Sequence, residues 1–275
     1  MSMLLEADRI GVAYGRHKPV DDVSLSIRAG ELLVIVGPNG AGKTTLMKLL
    51  TGELPAGSGT IRLDGEPLPA IPAWKLASQR AVMAQASRLA FPFTVAEVVR
   101  IGIDSVGRAL SRAERERTIS EALAAADIGH LVARSYQTLS GGEQQRVQFA
   151  RTFAQLRAGR RSTDRQVLFL DEPVANLDLS HQIALMESAA GLAREGVGVI
   201  AVLHDMNLAA TFANQVAVMN RGRMHALGAA GEVITRAMVR DVFGVDLCRE
   251  APAPGGLPVV LPQNYAVARG ELGEA

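Results

Sequence analysis

The apolar positions of this chain fall into two kinds of run. Glu31 to Val36 carries its apolar residues consecutively and leads straight into a glycine-rich turn, which reads as a short buried strand followed by a helix from about Thr44. Val167 to Leu170 and Val197 to Leu203 are likewise continuous and short, the pattern of strands buried on both faces. Gly57 to Gly65 alternates turn residues with Ile61 and Leu63 and suggests an antiparallel hairpin. From about Ser87 to Arg157 the period becomes helical, with Ala113 to Ala126 rich in Ala, Glu and Arg at amphipathic spacing. The pattern predicts an α/β fold: a mixed sheet, parallel at its centre and covered by helices, with a small antiparallel β part and a helical subdomain inserted over about residues 87–157. A single domain is expected over residues 3–240. Beyond about Arg240 come Pro252, Pro254, Gly255, Gly256, Pro258 and Pro262, so residues 241–275 read as an extended C-terminal extension.

Composition narrows the functional classes. With 48% hydrophobic residues in 275, the chain can bury a large core. Its 29 basic and 28 acidic residues nearly cancel, which leaves no global field to gather nucleic acid or anionic lipid, and no nucleic-acid partner is expected. Met1 to Ile10 lacks the basic start and apolar run of a secretory signal. No segment approaches the roughly 20 apolar residues of a membrane span, so any membrane role requires a partner. A lone Cys248 excludes an internal disulfide, and His17, His130, His181 and His225 show no ligand spacing with each other or with Cys248, so no transition-metal or haem site is expected. Leu156 to Gln166, with Arg157, Arg160, Arg161 and Arg165, reads as a solvated loop.

Three motifs carry chemistry. Gly37-Pro38-Asn39-Gly40-Ala41-Gly42-Lys43-Thr44-Thr45 fits the P-loop pattern and lies between a strand and a helix, as that pattern requires. Its glycines let backbone N–H groups converge on phosphate oxygens, the helix directs its positive end at them, Lys43 neutralises the outer phosphates, and Thr44 offers a hydroxyl to Mg²⁺. The apolar run ending in Asp171-Glu172 delivers carboxylates to a strand's C-terminal end, where ligands of open α/β sheets bind. Asp171 suits Mg²⁺ held through water, and Glu172 suits polarisation of an attacking water. Leu139-Ser140-Gly141-Gly142-Glu143-Gln144 opens a helix. Ser140 and Glu143 alone spell a capping box, but the paired glycines weaken a helix start unless something approaches the backbone closely, which makes this end a second anion site.

With these motifs in order, the chain resembles the ABC ATPase family from about Leu4 to Arg240. The resemblance implies ATP as the nucleotide, with Mg²⁺, and a homodimer in which the signature of one chain, including Gly141, Gly142 and Glu143, meets the γ-phosphate held by the other. It implies that Tyr14 stacks on adenine, that Gln85 contacts Mg²⁺ and senses a membrane partner, that Asp178 belongs to the Asn176–Asp178 D-loop, and that His204, at the end of an apolar run, contacts the γ-phosphate. Lys43, Gln85, Glu172 and His204 are then the catalytic set, and Thr44, Gln85 and Asp171 the metal set. Val174-Ala175-Asn176-Leu177-Asp178 departs from the more usual Thr-Ser-Ala-Leu-Asp-like run, which puts in doubt the communication between sites but not the chemistry. Gln85 to Val99, Gln137 to Leu156, Leu203 to Ala209 and Gly256 to Pro262 look like the ATPases of bacterial haem importers, with iron-siderophore and vitamin B12 importers as close relatives. The implied partners are two copies of a transmembrane permease and, indirectly, a periplasmic binding protein, at the cytoplasmic face of the inner membrane and with no direct contact to cargo. Phe91 and Phe93 suit an apolar groove for that permease. A P-loop kinase or GTPase would leave the signature and His204 without a role. An ABC ATPase acting on ribosomes or DNA usually has two cassettes or long coiled coils, whereas this chain has one P-loop, one signature and no heptad run.

Overall fold

The computed structural model describes residues 3–84, 91–104, 106–107, 109–246 and 259–260. The chain opens with two long strands, β1 (Met3–Tyr14) and β2 (His17–Arg28), paired antiparallel across a tight turn. β3 (Leu32–Val36) and helix α1 (Lys43–Thr51) follow. β4 (Ser58–Leu63) returns to pair antiparallel with β1, and the short β5 (Glu66–Pro67) completes a sheet in the order β2-β1-β4-β5. Gly57 to Gly65 is thus one arm and the turn of a short antiparallel hairpin with β5, Leu63 opposite Glu66. Its long partner is β1, some fifty residues earlier, as in Ala7 opposite Ile61, and alternation within one segment cannot name a distant partner.

α2 (Ala73–Gln79) leads to β6 (Arg80–Met83), and three helices come next: α3 (Val95–Asp104), α4 (Arg112–Ala125) and α5 (Gly141–Gly159). Then β7 (Val167–Asp171), α6 (Leu179–Arg194), β8 (Gly198–Val202), α7 (Met206–Phe212), β9 (Gln215–Asn220) and β10 (Arg223–Gly228) alternate, before α8 (Ala230–Val233) and α9 (Arg236–Phe243). The second sheet has the order β10-β9-β3-β8-β7-β6, parallel throughout except for β9 with β10. This is the mixed sheet that the apolar runs predict.

The sheet is the middle layer of the molecule. Along β3, Leu32, Val34 and Val36 enter one core with α3, α5 and α6, whereas Leu33 and Ile35 enter another with α1 and the antiparallel sheet. β7 divides in the same way, Leu168 and Leu170 to one side and Val167 and Phe169 to the other. A strand covered on both faces has to be apolar at every position, which is why these segments lack alternation.

The arginine run is not a solvated loop. α5 extends through its first residues, and the guanidinium groups reach distant acids: Arg157 and Arg160 hold Glu195, Arg161 holds Glu114, and Arg165 holds Asp64 at 2.7 Å while donating to the Met3 carbonyl. These contacts tie α4, α5, the end of α6 and the antiparallel sheet together. At the chain's other end α9 carries helix past Arg240 to Phe243. Val260 docks beside α7, where the Asn207 amide donates to its carbonyl at 3.1 Å and accepts its N–H at 2.9 Å. No helix among the described residues is long and apolar enough to cross a membrane.

α3 crosses α5 at backbone contact. A Cβ added to Gly102 would lie 2.1 Å from the Arg151 carbonyl oxygen, so no side chain fits between the two helices. Gly102→Ala is expected to destabilise the fold by about 1–3 kcal/mol, despite the better helix propensity of alanine. Urea unfolding midpoints of the two proteins check this.

Candidate active site

Three neighbouring parallel strands deliver the site residues to one edge of the sheet. After β3 the chain winds through Gly37–Gly42 into α1, whose N-terminus has no side-chain cap and no acid in its first turn. Its amide N–H groups and the positive end of its dipole are thus uncompensated by protein, an anion-binding arrangement. Gly42 has φ of +99°, and a Cβ there would sit 1.9 Å from the Pro19 carbonyl. The loop can pass under β2 only with glycine at this position. Lys43 is buried, and its ammonium donates to the carbonyls of Gly37 and Pro38 at 2.8 and 3.0 Å. Burial lowers its pKa, and the charges of Glu172 and Asp171 oppose that shift.

β7 ends in Asp171, which is 7% exposed. Its Oδ1 has no partner among the described residues. Burial, and secondarily the charge of Glu172, push its pKa up to about 6, while Lys48 and Lys43 pull it down. Asp171 shares a cavity of about 250 Å³ with Thr44, Lys48, Thr51 and Glu53. An unpartnered buried carboxylate beside a threonine hydroxyl is the donor set that a hard divalent cation takes.

Glu172 follows with a left-handed backbone, φ +52°, a conformation that costs a non-glycine residue about 1–3 kcal/mol and clusters at functional sites. Its Oε1 lies 2.8 Å from His204 Nε2, and its side chain is mostly buried. His204 stands just beyond β8, and Asp205 caps α7 by accepting from the Asn207 and Leu208 amides. The Glu172 carbonyl accepts from Gln145 Nε2 at 2.6 Å.

A second group gathers around the start of α5. Ser140 and Glu143 form the capping box that their spacing announces: the Ser140 N–H donates to Glu143 Oε2 at 2.7 Å, and the Glu143 N–H donates to Ser140 Oγ at 3.2 Å. These bonds hold the Glu143 carboxyl below the usual range. Ser140 Oγ accepts in this box, so its own proton is left to donate to an incoming oxygen. Ser140, Gly141, Gly142, Glu143, Asn176 and Asp178 line one cavity of about 450 Å³, together with Arg146 and His181. Asp178 caps α6, accepting from the His181 N–H and from Ser180 Oγ, and its pKa falls to about 2 for that reason.

The structure thus brings Lys43, Thr44, Asp171, Glu172 and His204 together, and sets Ser140 to Glu143 and Asp178 around a different cavity. Tyr14 lies 56% exposed at the end of β1, opposite His17 on the strand whose Pro19 covers Gly42. Phe93 packs on the core and meets the exposed Phe91 edge-on, ring centres 6.2 Å apart. Gln85 lies outside the described residues. Two residues escape a reading of the motifs alone. Lys48 borders the Asp171 cavity, and its signal is the i,i+4 spacing from Thr44 on α1. Gln145 has no such signal, because its partner is 27 positions away.

The raised pKa of Asp171 has a testable consequence for the nucleotide-free, metal-free protein. An unfolded aspartate has a pKa of about 3.9, so the folded state binds this proton more tightly, and the group favours folding progressively more as pH falls from above 6 toward 4. At pH 8 the buried charge is a full penalty. Asp171→Asn is expected to raise the melting temperature at pH 8, and to raise it less at pH 5, when both proteins are measured by calorimetry without nucleotide.

Known proteins resemble this chain in sequence and in fold. The family model described as ABC transporter matches residues 20–175. A hemin import ATP-binding protein of Ruegeria sp. is 47% identical over 95% of this chain and 99% of its own length. Another, of Rhizobium johnstonii, is 43% identical over 97% of this chain and 100% of its own. Among solved structures, the ATP-binding subunit of an ABC transporter superposes with a TM-score of 0.73 at 25% identity, over 88% of this chain and 93% of that one. A metal-chelate type ABC transporter in an inward-facing conformation gives 0.75 at 21% identity over 94% and 96%. Fold, motif order and near full-length identity coincide, and the chain belongs to the ABC transporter family, among its ATP-binding subunits.

Proposed function

We propose that this chain is the ATP-hydrolysing subunit of an importer for haem, coupled to a separate membrane permease. The observation that carries the ATPase reading is the meeting of Lys43, Asp171, Glu172 and His204 at one sheet edge. In this reading the α1 N-terminus and Lys43 hold the β- and γ-phosphates, and Tyr14 offers its exposed face to adenine. Thr44 and Asp171, with Gln85, would hold Mg²⁺, which when bound neutralises charge developing on the phosphates. Glu172 orients and polarises the attacking water, and His204, 2.8 Å away, keeps that carboxylate in place and presents itself to the γ-phosphate.

The signature end of α5 presents donors to its own cavity, which Arg146 also lines, while the Glu143 and Asp178 carboxylates are engaged in helix caps. The Ser140 proton and the Gly141 and Gly142 amides suit an anion brought by another molecule. A homodimer with two-fold symmetry would place each signature over the other subunit's P-loop and form two equal sites. Haem as cargo rests on the relatives named above, whose likeness extends over nearly the whole chain and not only the ATP motifs. A cassette for iron-siderophore or vitamin B12 uptake is the second reading, supported by the fold likeness to a metal-chelate type transporter. The permease would anchor the subunit at the inner face of the cell membrane, with a periplasmic binding protein delivering cargo from the other side.

Glu172→Gln should leave ATP affinity unchanged and slow hydrolysis by about two orders of magnitude or more. Gel filtration with ATP and Mg²⁺ should then show an accumulated dimer, and a monomer under those conditions would count against the shared site. For the cargo, the subunit and its permease in proteoliposomes should hydrolyse ATP several-fold faster with haem-loaded binding protein than with the empty form. Stimulation by a ferric siderophore or vitamin B12 instead would replace haem as the substrate.

A further inference from the structure

We propose that Gln145 is a positioning residue for hydrolysis: its side-chain amide pins the left-handed backbone of Glu172 and so aims the catalytic carboxylate. The inference rests on the assignment of Glu172 as the group that orients water.

Glu172 is held where an ordinary residue resists being held. Its φ of +52° is disfavoured for any L-residue with a Cβ, and Pro173 restricts the residue before it toward extended conformations. The conformation persists because neighbours over-determine it. Its N–H donates to the Val202 carbonyl on β8 at 3.2 Å. Its carbonyl accepts from Gln145 Nε2 at 2.6 Å and, more weakly, from the Ala175 N–H at 3.4 Å. The first bond fixes the peptide before Glu172 and the other two fix the peptide after it, so φ and ψ are clamped from both sides. Of these donors only Gln145 comes from outside the strand ends and the loop itself.

Gln145 is well placed for this task. It sits in the second turn of α5, whose start is locked by the capping box, and its neighbour Gln144 ties the helix to the Tyr136 and Leu139 carbonyls. The Asn176 amide donates to Gln145 Oε1 at 3.4 Å, which turns the Nε2 end toward Glu172. From the opposite side Gln182 of α6 donates to the carbonyls of Val174 and Leu177. The segment from Glu172 to Leu177 is therefore braced by one glutamine from each flanking helix. If the Gln145 amide is lost, the peptide after Glu172 can rotate, the residue relaxes toward negative φ, and the carboxylate leaves its place beside His204. A displacement of about 1 Å at a reacting group costs on the order of a hundredfold in rate.

Steady-state ATP hydrolysis by the full chain tests this, with fluorescent-nucleotide binding and melting temperature measured alongside. Gln145→Glu keeps size and shape but removes the donor, and it carries the test even where Gln145→Ala does not fold. Both variants are expected to lower kcat about tenfold or more with KM for ATP within about twofold. In a Glu172→Gln background, Gln145→Ala should leave the residual rate unchanged, because its effect passes through that carboxylate alone. A Gln145→Glu protein with wild-type kcat would overturn the proposal. So would a Gln145→Ala change that slows the Glu172→Gln protein by the same factor as the wild type, which marks a general structural role. If Glu172→Gln is itself as active as the wild type, the assignment of Glu172 falls, and this inference falls with it.

Discussion

Three adjacent parallel strands, β3, β8 and β7, are buried on both faces, and this constraint fixes where the chemistry can lie. A strand with helices or another sheet against each face can present polar groups only at its ends. Parallel order puts all three C-terminal ends on one edge, and each continues into a segment that carries a charged or titratable side chain: Lys43 after β3, Asp171 and Glu172 at the end of β7, His204 after β8. The site is thus a property of the sheet. No single motif could form it, since residues 43, 171 and 204 meet only because β3 pairs with β8 and β8 with β7.

That edge is expensive in free energy when it holds no ligand. Lys43 is desolvated, Asp171 keeps an unpartnered oxygen, and Glu172 sits in a strained backbone. Each of these opposes folding, and none has a structural benefit that a neutral, well-packed residue would not supply better. The ligands proposed above would reverse the balance: a polyphosphate for the cation and the bare helix end, and a divalent cation for the carboxylate. The two deep cores on either side of the sheet provide the stability against which this strain is carried.

Features with a local signature were legible in the sequence. The Ser140 and Glu143 capping box needs only a spacing of three, and the P-loop needs only glycines before a lysine, so both could be read without a partner. His204 was named through the family resemblance, with its place at the end of an apolar run in support. The rest depends on pairs far apart in the chain. Arg165 finds Asp64 across 101 positions, Arg161 finds Glu114 across 47, and Gly102 meets the Arg151 carbonyl because two helices cross. A solvated arginine loop and a paired one have the same composition, so the sequence could not separate them. The pairing of β4 with β1 was hidden for the same reason, since alternation gives the face of a strand and not its neighbour.

The position of α5 has a further consequence for how the two halves of the site act together. The helix begins at the signature, where its free donors face a cavity away from the P-loop, and in its second turn it reaches the backbone of Glu172. Nineteen residues of continuous helix behave as a rod over one turn and a half, so Ser140 and Gln145 cannot move independently. An anion that engages the exposed N-terminus and shifts it by a fraction of an ångström must carry the Gln145 amide with it. The Glu172 carbonyl is held at 2.6 Å, a range in which hydrogen-bond energy changes steeply with geometry. In the dimer proposed above, occupation of the signature by a partner's nucleotide would therefore adjust the carboxylate of the opposite site.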